Sequence, residues 1–233
     1  MEKVHIKLDG SSRIFFTSDL HVGHRNVIRF CDRPWANDKE MGKGLAAAWN
    51  SRVSNNDIIF VLGDLFWFNG RHETARALRN LNGKDIYIVL GNHDTAHQYE
   101  LALQDPRIHV LGDAAALWLE DESEAGYLES LGKKTCEIFL CHYPLLTWPH
   151  RDHGAIQLFG HIHSGPRRDR NNMDMDLRLR HFQMDVGVDS RDDYAPWSLE
   201  EILTMMCWPD GPKDSTYLSG GGHPADKARY MKE

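Results

Sequence analysis

Runs of consecutive apolar residues recur along the chain, and each is followed by glycine or by polar residues. Five of these runs occupy residues 14–16, 58–62, 86–90, 138–141 and 156–159. They are rich in β-branched and aromatic residues and do not alternate strictly with polar ones, a pattern typical of strands buried on both faces. The sequence therefore predicts five buried strands.

Helical patterns fill the spaces between the first of these runs. Asp38 can cap a helix that carries apolar residues at helical spacing and ends near Val53. Residues 71–80 and 94–103 are two further helix candidates. Strands that alternate with helices predict an α/β domain in which the helices lie outside the sheets.

The chain beyond residue 113 has a different pattern. Residues 114–119 and 135–141 predict two strands, joined by an acidic and polar stretch, 120–134, that we interpret as a surface loop. Another strand is predicted over residues 182–188. A helix is expected from Ser198, because this serine is followed three residues later by a glutamate, the pattern of a capping box.

The last residues differ in composition from the rest. After Trp208 the chain is rich in Gly, Pro, Lys and Ser, which predicts a loosely ordered tail over residues 209–233. No internal repeat and no domain linker precede it. We therefore expect residues 1–208 to form a single domain.

Composition and charge restrict the functional classes. The 233 residues are 41% hydrophobic and 26% charged, and the net charge is −7. These values are ordinary for a globular protein. They give no sign of the basic face with which proteins bind nucleic-acid backbones, although they leave open the alternative of a local basic patch. The first ten residues lack a signal-peptide pattern, no apolar run is long enough to span a membrane, and the four cysteines form no CxxC pair. We expect a cytoplasmic protein with reduced thiols and no membrane partner.

Asp, Asn or His follows every one of the five apolar runs. These residues occur, in order, in the segments Asp19-Leu20-His21, Gly63-Asp64, Gly91-Asn92-His93-Asp94, His142 and Gly160-His161-Ile162-His163. An acidic residue after a single strand is more often a turn or a helix cap. It is improbable that all five loops carry such a residue only as a turn or a cap. In α/β sheets ligand sites gather at the carboxyl ends of strands, so these residues are candidate ligands.

The segment FGHIHSG, residues 159–165, can be interpreted as part of a ligand site or as a surface loop. His161 and His163 share one face of the chain if the extended geometry of the strand continues. In a chain with 14 histidines, the pair could also be a histidine-rich surface loop. The other four loops favour a metal site, since Asp, Asn and His without Cys form a nitrogen and oxygen ligand set that suits Mn, Fe, Zn or Ni.

This ordered set of motifs resembles the signature of the calcineurin-like metallophosphoesterases, in particular a small single-domain bacterial and phage subgroup. The resemblance spans residues 14–163. It implies an α/β fold of two stacked mixed sheets flanked by helices, and two divalent metal ions, with Mn favoured. One ion would be held by Asp19, His21 and His163 and the other by Asn92, His142 and His161, with Asp64 bridging them.

The resemblance also implies catalytic roles. His93 would protonate the leaving group and Asp94 would orient the imidazole of His93. Many members carry a second Asp three residues after the bridging one, and this chain has Trp67 there. The contact that this second Asp would make to a metal ligand or to the catalytic histidine is therefore missing in this chain or is supplied in another way.

The expected reaction is hydrolysis of a phosphomonoester or phosphodiester by a water that the two metals acidify. Three basic residues that follow the first loop, His24, Arg25 and Arg29, are candidate phosphate contacts, although Arg25 and Arg29 also fit a solvated helix face. The expected partner is a small phosphoester. A nuclease using the same centre is the main alternative, and a non-catalytic scaffold of the same fold is a weaker one, since no predicted ligand is missing.

Overall fold

The computed structural model describes residues 1–121, 128, 134–164 and 182–206. The predicted tail, residues 209–233, and most of the stretch 120–134 lie outside these described residues, so the tail and the boundary of the single domain stay predictions. Within the described ranges, no helix is long and apolar enough to cross a membrane.

Two five-stranded mixed sheets form the framework. The first has the strand order β1-β6-β7-β8-β9 and the second the order β10-β2-β3-β4-β5. The strands of the first sheet are β1 (Glu2–Leu8), β6 (Ala114–Asp121), β7 (Thr135–Cys141), β8 (Ile156–Phe159) and β9 (Gln183–Asp185). Those of the second are β2 (Ile14–Thr17), β3 (Ile58–Leu62), β4 (Asp85–Val89), β5 (Ile108–Val110) and β10 (Trp197–Ser198).

Helices connect the parallel strands of the second sheet, and one further helix follows its strand β10. They are α1 (Arg25–Phe30), α2 (Asp38–Arg52), α3 (Arg71–Leu78), α4 (Ala96–Tyr99) and α5 (Leu199–Met206). Strands β2, β3, β4 and β5 are parallel to one another, and β10 is antiparallel to β2. Connections between parallel strands need a crossover segment, which is why helices alternate with these strands.

The alternation of side chains along the strands separates two cores. Phe16 and Phe60 of the second sheet face Leu117 and Leu140 of the first, in a core that both sheets share. Residues on the opposite face of the second sheet, such as Ile59, form a second core with residues of helices α2 and α3, such as Trp49 and Leu78. Burying each large apolar side chain stabilises the fold by roughly 1.5–3 kcal/mol. The predicted α/β fold of two stacked mixed sheets is thus confirmed.

Several predicted bounds need correction. The cap of α2 is Asn37 rather than Asp38, because the Asn37 side chain accepts a hydrogen bond from the main chain of Glu40. The predicted strand 182–188 is shorter and ends at Asp185. The candidate helix 94–103 is divided into α4 and a short 3-10 helix, Ala102–Gln104.

Two other details concern the second half of the chain. Leu128, which we placed in a surface loop, is fully buried in the core that the sheets share. The predicted capping box of α5 is confirmed. The Ser198 hydroxyl accepts from the main chain of Glu201 at 3.2 Å, and the Glu201 carboxylate accepts from the main chain of Ser198 at 2.8 Å.

Candidate metal centre

The loops that carry the candidate ligands meet at one end of the sandwich. The loop after β2 runs beside the loop after β3, where the main-chain nitrogen of Asp19 donates to Gly63 and that of His21 donates to Asp64, at 3.1 and 2.9 Å. The same loop reaches the other sheet, because Asp19 Oδ2 accepts from the main chain of His161 at 2.8 Å. The carboxyl ends of both sheets therefore contribute to one site.

Left-handed backbone marks most of the candidate ligands. Positive φ angles between 48° and 70° occur at five of them: Asp19, His21, Asp64, His161 and His163. Residues other than glycine adopt this region rarely and at a cost, and they do so mainly where the surrounding structure imposes it. At His161 and His163 the extended geometry of β8 does not continue, so the two imidazoles point to different neighbours.

Two glycines allow the loops to approach each other. Gly63 has a φ of +91°, and a Cβ atom there would lie 2.6 Å from Gly91 Cα and from His142 Nδ1. A Cβ atom on Gly160 would collide with the Ser18 hydroxyl and the Asp19 carboxylate. Glycine is thus required at both positions for the loops to pack at this distance.

The first group of candidate ligands comprises Asp19, His21 and His163. The Asp19 Oδ1 atom lies 3.8 Å from His21 Nε2 and 3.6 Å from His163 Nε2. Their ligand atoms are all within 4.8 Å of one another, the spacing of a site that could hold a metal ion. Asp19 Oδ1 is buried and accepts no hydrogen bond from any described residue. A buried carboxylate oxygen without a partner is costly, and a cation would supply the missing partner.

The second group comprises Asn92, His142 and His161. The Asn92 Oδ1 atom lies 3.0 Å from His142 Nε2 and 2.9 Å from His161 Nδ1. His142 Nδ1 lies 2.7 Å from the carbonyl of Leu62. Because a carbonyl only accepts, this contact places a proton on Nδ1, so that Nε2 is the nitrogen that faces Asn92 and Asp64.

Asp64 stands next to both groups. Its Oδ2 atom lies 3.5 Å from His21 Nε2 of the first group and 3.5 Å from His142 Nε2 of the second. The carboxylate is almost fully buried. One side chain therefore contacts histidines on both sides of the site.

Burial and the neighbouring carboxylates shift the pKa values of the two site histidines His142 and His21 in opposite directions. Burial opposes the charged form of His142, but the hydrogen bond to Asp64 and the charges of Asp19 and Asp64 outweigh it and raise the pKa of His142 to about 9. Burial alone would raise the pKa of Asp64, but the hydrogen bond and charge of His142 lower it to about 2. For His21 burial dominates and lowers the pKa to about 3. The two buried carboxylates thus form a negative cluster that divalent cations could neutralise.

An outer layer of polar residues supports His163, and sequence reasoning missed it. Asp189 Oδ2 lies 2.7 Å from His163 Nδ1. The Arg33 guanidinium donates to both oxygens of Asp189, at 2.8 and 2.7 Å, and also to the main-chain carbonyls of Asp19 and Leu20. Carboxylates that accept from a ligand histidine orient its ring. Asp189 follows a strand end, as the other site residues do, whereas no sequence pattern marked Arg33.

The Asp94 carboxylate has partners other than the imidazole that it is expected to orient. Its Oδ2 atom accepts from the main chains of Asp64 and Gly91 at 2.7 and 2.9 Å, and its Oδ1 atom accepts from Tyr99 at 2.9 Å and from Gln98 at 3.2 Å. Asp94 thus ties the loops after β3 and β4 together, and among these hydrogen bonds none goes to the imidazole of His93.

His93, the expected general acid, lies at the open side of the site. Its main-chain nitrogen donates to Asp64 Oδ1 at 2.9 Å, and its side chain is exposed. The imidazole centroid lies 5.5 Å from that of His21 and 4.7 Å from the ring of Trp67.

The three candidate phosphate contacts occupy different positions. His24 precedes α1, and its ring stacks on Trp67. Arg25 and Arg29 lie on the exposed face of α1, and the Arg29 guanidinium lies 5.5 Å from the centroid of the Phe30 ring. Of the three, only His24 is in ring contact with a candidate ligand, at 5.5 Å between its centroid and that of His21.

Comparison with known proteins agrees with this architecture. The family model described as calcineurin-like phosphoesterase matches residues 12–190, so the chain belongs to the calcineurin-like phosphoesterase family. Membership supports phosphoester hydrolysis in general, and members typically bind divalent metals, for which the chain has suitable groups of His and Asp residues.

Three individual proteins are similar to this chain. It is 31% identical to the Gene 66 protein of Mycobacterium phage D29 over 212 residues, which cover 84% of this chain and 96% of the phage protein. It is 40% identical over 82 residues to an uncharacterized protein of Methanocaldococcus jannaschii, covering 35% of this chain and 47% of that protein. A solved structure, of a protein of unknown function from Aquifex aeolicus, matches with a TM-score of 0.54 and 22% identity over 83% of this chain and 98% of that chain. At that identity the likeness concerns the fold.

Proposed function

We propose that this protein hydrolyses phosphoester bonds of a small substrate with two divalent metal ions. The observation that carries the proposal is the position of Asp64, whose Oδ2 atom lies 3.5 Å from a histidine of each candidate ligand group. A carboxylate in this position can be shared by two ions. Family membership supports the reaction class.

The donor set fits two transition-metal ions. Asp19, His21 and His163 would hold the first ion, Asn92, His142 and His161 the second, and Asp64 both. These nitrogen and oxygen donors suit Mn, Fe, Zn or Ni, and we favour Mn. The Asp19 Oδ1 atom, which accepts no hydrogen bond from the described residues, and the negative cluster support this assignment.

When bound, the ions supply an activated water and neutralise charge on the phosphoryl group. His93 donates a proton to the leaving oxygen, since its exposed imidazole faces the open side of the site while its main chain is held on Asp64. Asp94 keeps the loops after β3 and β4 in register by accepting from Asp64 and Gly91. Proton transfer of this kind is typically worth ~10²–10⁴-fold in rate.

The compartment and the substrate size are also proposals. The three cysteines in the described part of the chain, Cys31, Cys136 and Cys141, are free thiols, which supports a reducing cytoplasm. The net charge of −7 supports a small phosphoester rather than a nucleic acid.

The test is an assay of the purified chain, first stripped of metal and then reconstituted separately with Mn, Zn, Fe or Ni. The substrates are p-nitrophenyl phosphate, bis-p-nitrophenyl phosphate, cyclic nucleotides and single-stranded DNA. We expect about two ions per chain and turnover of a small ester, and we expect the Asp64→Asn variant to lose both turnover and part of the metal. Absence of bound metal after every reconstitution would refute the proposal, and preferential cleavage of DNA would replace the small substrate by a nuclease reaction.

A further inference from the structure

An aromatic contact occupies the place beside His93 where we expected a polar one. The ring centroids of Trp67 and His93 are 4.7 Å apart, with 48° between the ring planes. In the described part of the chain, the ring nitrogens of His93 form no hydrogen bond that would fix the ring, and the carboxylate of Asp94 is engaged elsewhere. The contacts of the imidazole with described residues are therefore contacts between rings, with Trp67 and with His21.

Trp67, which is 42% exposed, is held by a hydrogen bond of its main chain and by contacts of its ring. Its main-chain nitrogen donates to the carbonyl of Val22 at 2.9 Å, which joins it to the loop after β2. Its indole stacks on His24 with centroids 3.7 Å apart and ring planes within 6° of parallel. The main chain of His24 in turn donates to the carbonyl of His21 at 2.9 Å. The stack is thus anchored to the loop that carries the candidate ligands Asp19 and His21.

We propose that Trp67, supported by His24, is the positioning residue for His93. This inference rests on the proposed role of His93 as the proton donor. A flat ring packed against the imidazole restricts rotation about its χ2 angle and occupies neither ring nitrogen, so both nitrogens stay available for proton transfer. A small misplacement of a reacting group can cost a large factor in rate, which makes such a contact consequential although it is not polar.

The experiment is a double-mutant cycle between Trp67→Ala and His93→Asn, measured with the metal-loaded protein on an alkyl phosphate ester and on a p-nitrophenyl ester. An alkoxide leaves poorly without a proton, whereas p-nitrophenolate leaves readily, so loss of proton donation affects the alkyl ester more. For Trp67→Ala we expect kcat on the alkyl ester to fall by roughly 10- to 100-fold, a clearly smaller loss on the p-nitrophenyl ester, and an unchanged KM. In the His93→Asn background, Trp67→Ala should lower kcat no further on either ester.

Two further variants serve as controls. Trp67→Leu keeps apolar bulk without the flat ring and should behave like Trp67→Ala, which also covers the case in which the alanine variant folds poorly. Tyr143 is equally exposed, at 42%, and its ring contacts His142 and His161 at the other side of the site. Tyr143→Ala should change the rates on both substrates by the same factor. Metal content is measured for every variant.

The possible outcomes are distinct. Equal losses from Trp67→Ala in the wild-type and His93→Asn backgrounds would overturn the proposal, and so would a rise in KM alone, which would make Trp67 a substrate contact. If His93→Asn lowers the rates on both esters equally, the proton-donor role of His93 fails. The coupling between Trp67 and His93 is then still measured by the cycle, so the two failures can be told apart.

Discussion

The imidazole Nδ1 of His163 lies 2.7 Å from Oδ2 of Asp189, and the opposite nitrogen of the same ring faces Asp19. Arg33, whose side chain is fully buried, forms an ion pair with Asp189 at 2.7 Å. The ring of His163 is thus fixed by a carboxylate that is itself fixed by an arginine.

We expect Asp189→Asn to weaken metal binding about 10- to 100-fold. Without the carboxylate, the imidazole of His163 is less basic and its ring is no longer held in one orientation. The variant should also be less stable by about 3–5 kcal/mol, since Arg33 is left buried without its counter-charge. Competition with a chelator measures the first effect and urea unfolding of the metal-free protein measures the second.

The control for this prediction is the double variant Arg33→Met and Asp189→Asn. It removes the unpaired buried charge and should recover part of the stability while metal affinity stays low. Recovery of metal affinity in the double variant would contradict an orienting role for Asp189.

Substitution of the two histidines after β8 should have separable effects. The His161 side chain contacts Asn92, whereas His163 faces Asp19, so each belongs to a different ligand group. We expect His161→Ala and His163→Ala each to retain about one ion where the wild type retains two. Elemental analysis after dialysis checks this, and a variant with full metal content and full activity would remove that histidine from the centre.

Gly160 should tolerate no side chain. A Cβ atom there would overlap the Ser18 hydroxyl and the Asp19 carboxylate, so Gly160→Ala must displace the loop after β2. We expect reduced metal content together with a loss of stability of roughly 1–3 kcal/mol. Gly112→Ala is the matched control, because a Cβ atom at Gly112 would have open space around it although its φ of +71° is unfavourable. A normal metal content in Gly160→Ala would show that the loop yields without affecting the site.

Asp57 should make stability depend on acid pH. Burial alone would raise the pKa of Asp57, but hydrogen bonds from Arg13 and Ser54 outweigh it and lower the pKa from 3.8 to about 2. A carboxyl whose folded-state pKa is lowered stabilises the fold above its unfolded value, and this contribution disappears as the pH falls through the folded value. Because the Arg13 side chain is largely exposed, we discount the effect to roughly 1–2 kcal/mol near neutral pH.

The measurement is urea unfolding of the metal-free wild type and of Asp57→Asn at several pH values. The difference in stability should be constant above about pH 5 and should shrink between about pH 4 and pH 2. A difference that does not change with pH would mean that packing, and not the charge of Asp57, is responsible.

The sequence predicted the strands that are buried on both faces and the polar residues that follow them. Strands β1, β5 and β10 were not predicted, and for β1 the reason is physical. Its polar residues alternate with Val4, Ile6 and Leu8, which pack against the shared core, so it lacks the continuous apolar run that marked the predicted buried strands. The signal for such an edge strand is a period of two.

Contacts between residues that are distant in sequence could not be predicted in the same way. Arg33 and Asp189 are separated by 156 positions, and neither lies in a pattern that requires the other. The contact of Trp67 with His93 depends on how the loops after β3 and β4 pack, which no local pattern encodes. By contrast, the candidate ligands follow strands directly, and their placement needs only the rule that the carboxyl ends of strands converge.

The left-handed backbone at Asp19, His21, Asp64, His161 and His163 has a consequence for anyone who would build this centre into another protein. Copying the donor side chains onto ordinary strands or helices would aim them in the wrong directions, because their angles of approach come from main-chain conformations that regular elements do not contain. The transplantable unit is the set of loops with its glycines. A designer would have to graft these loops as a whole and supply two sheet ends that hold them together.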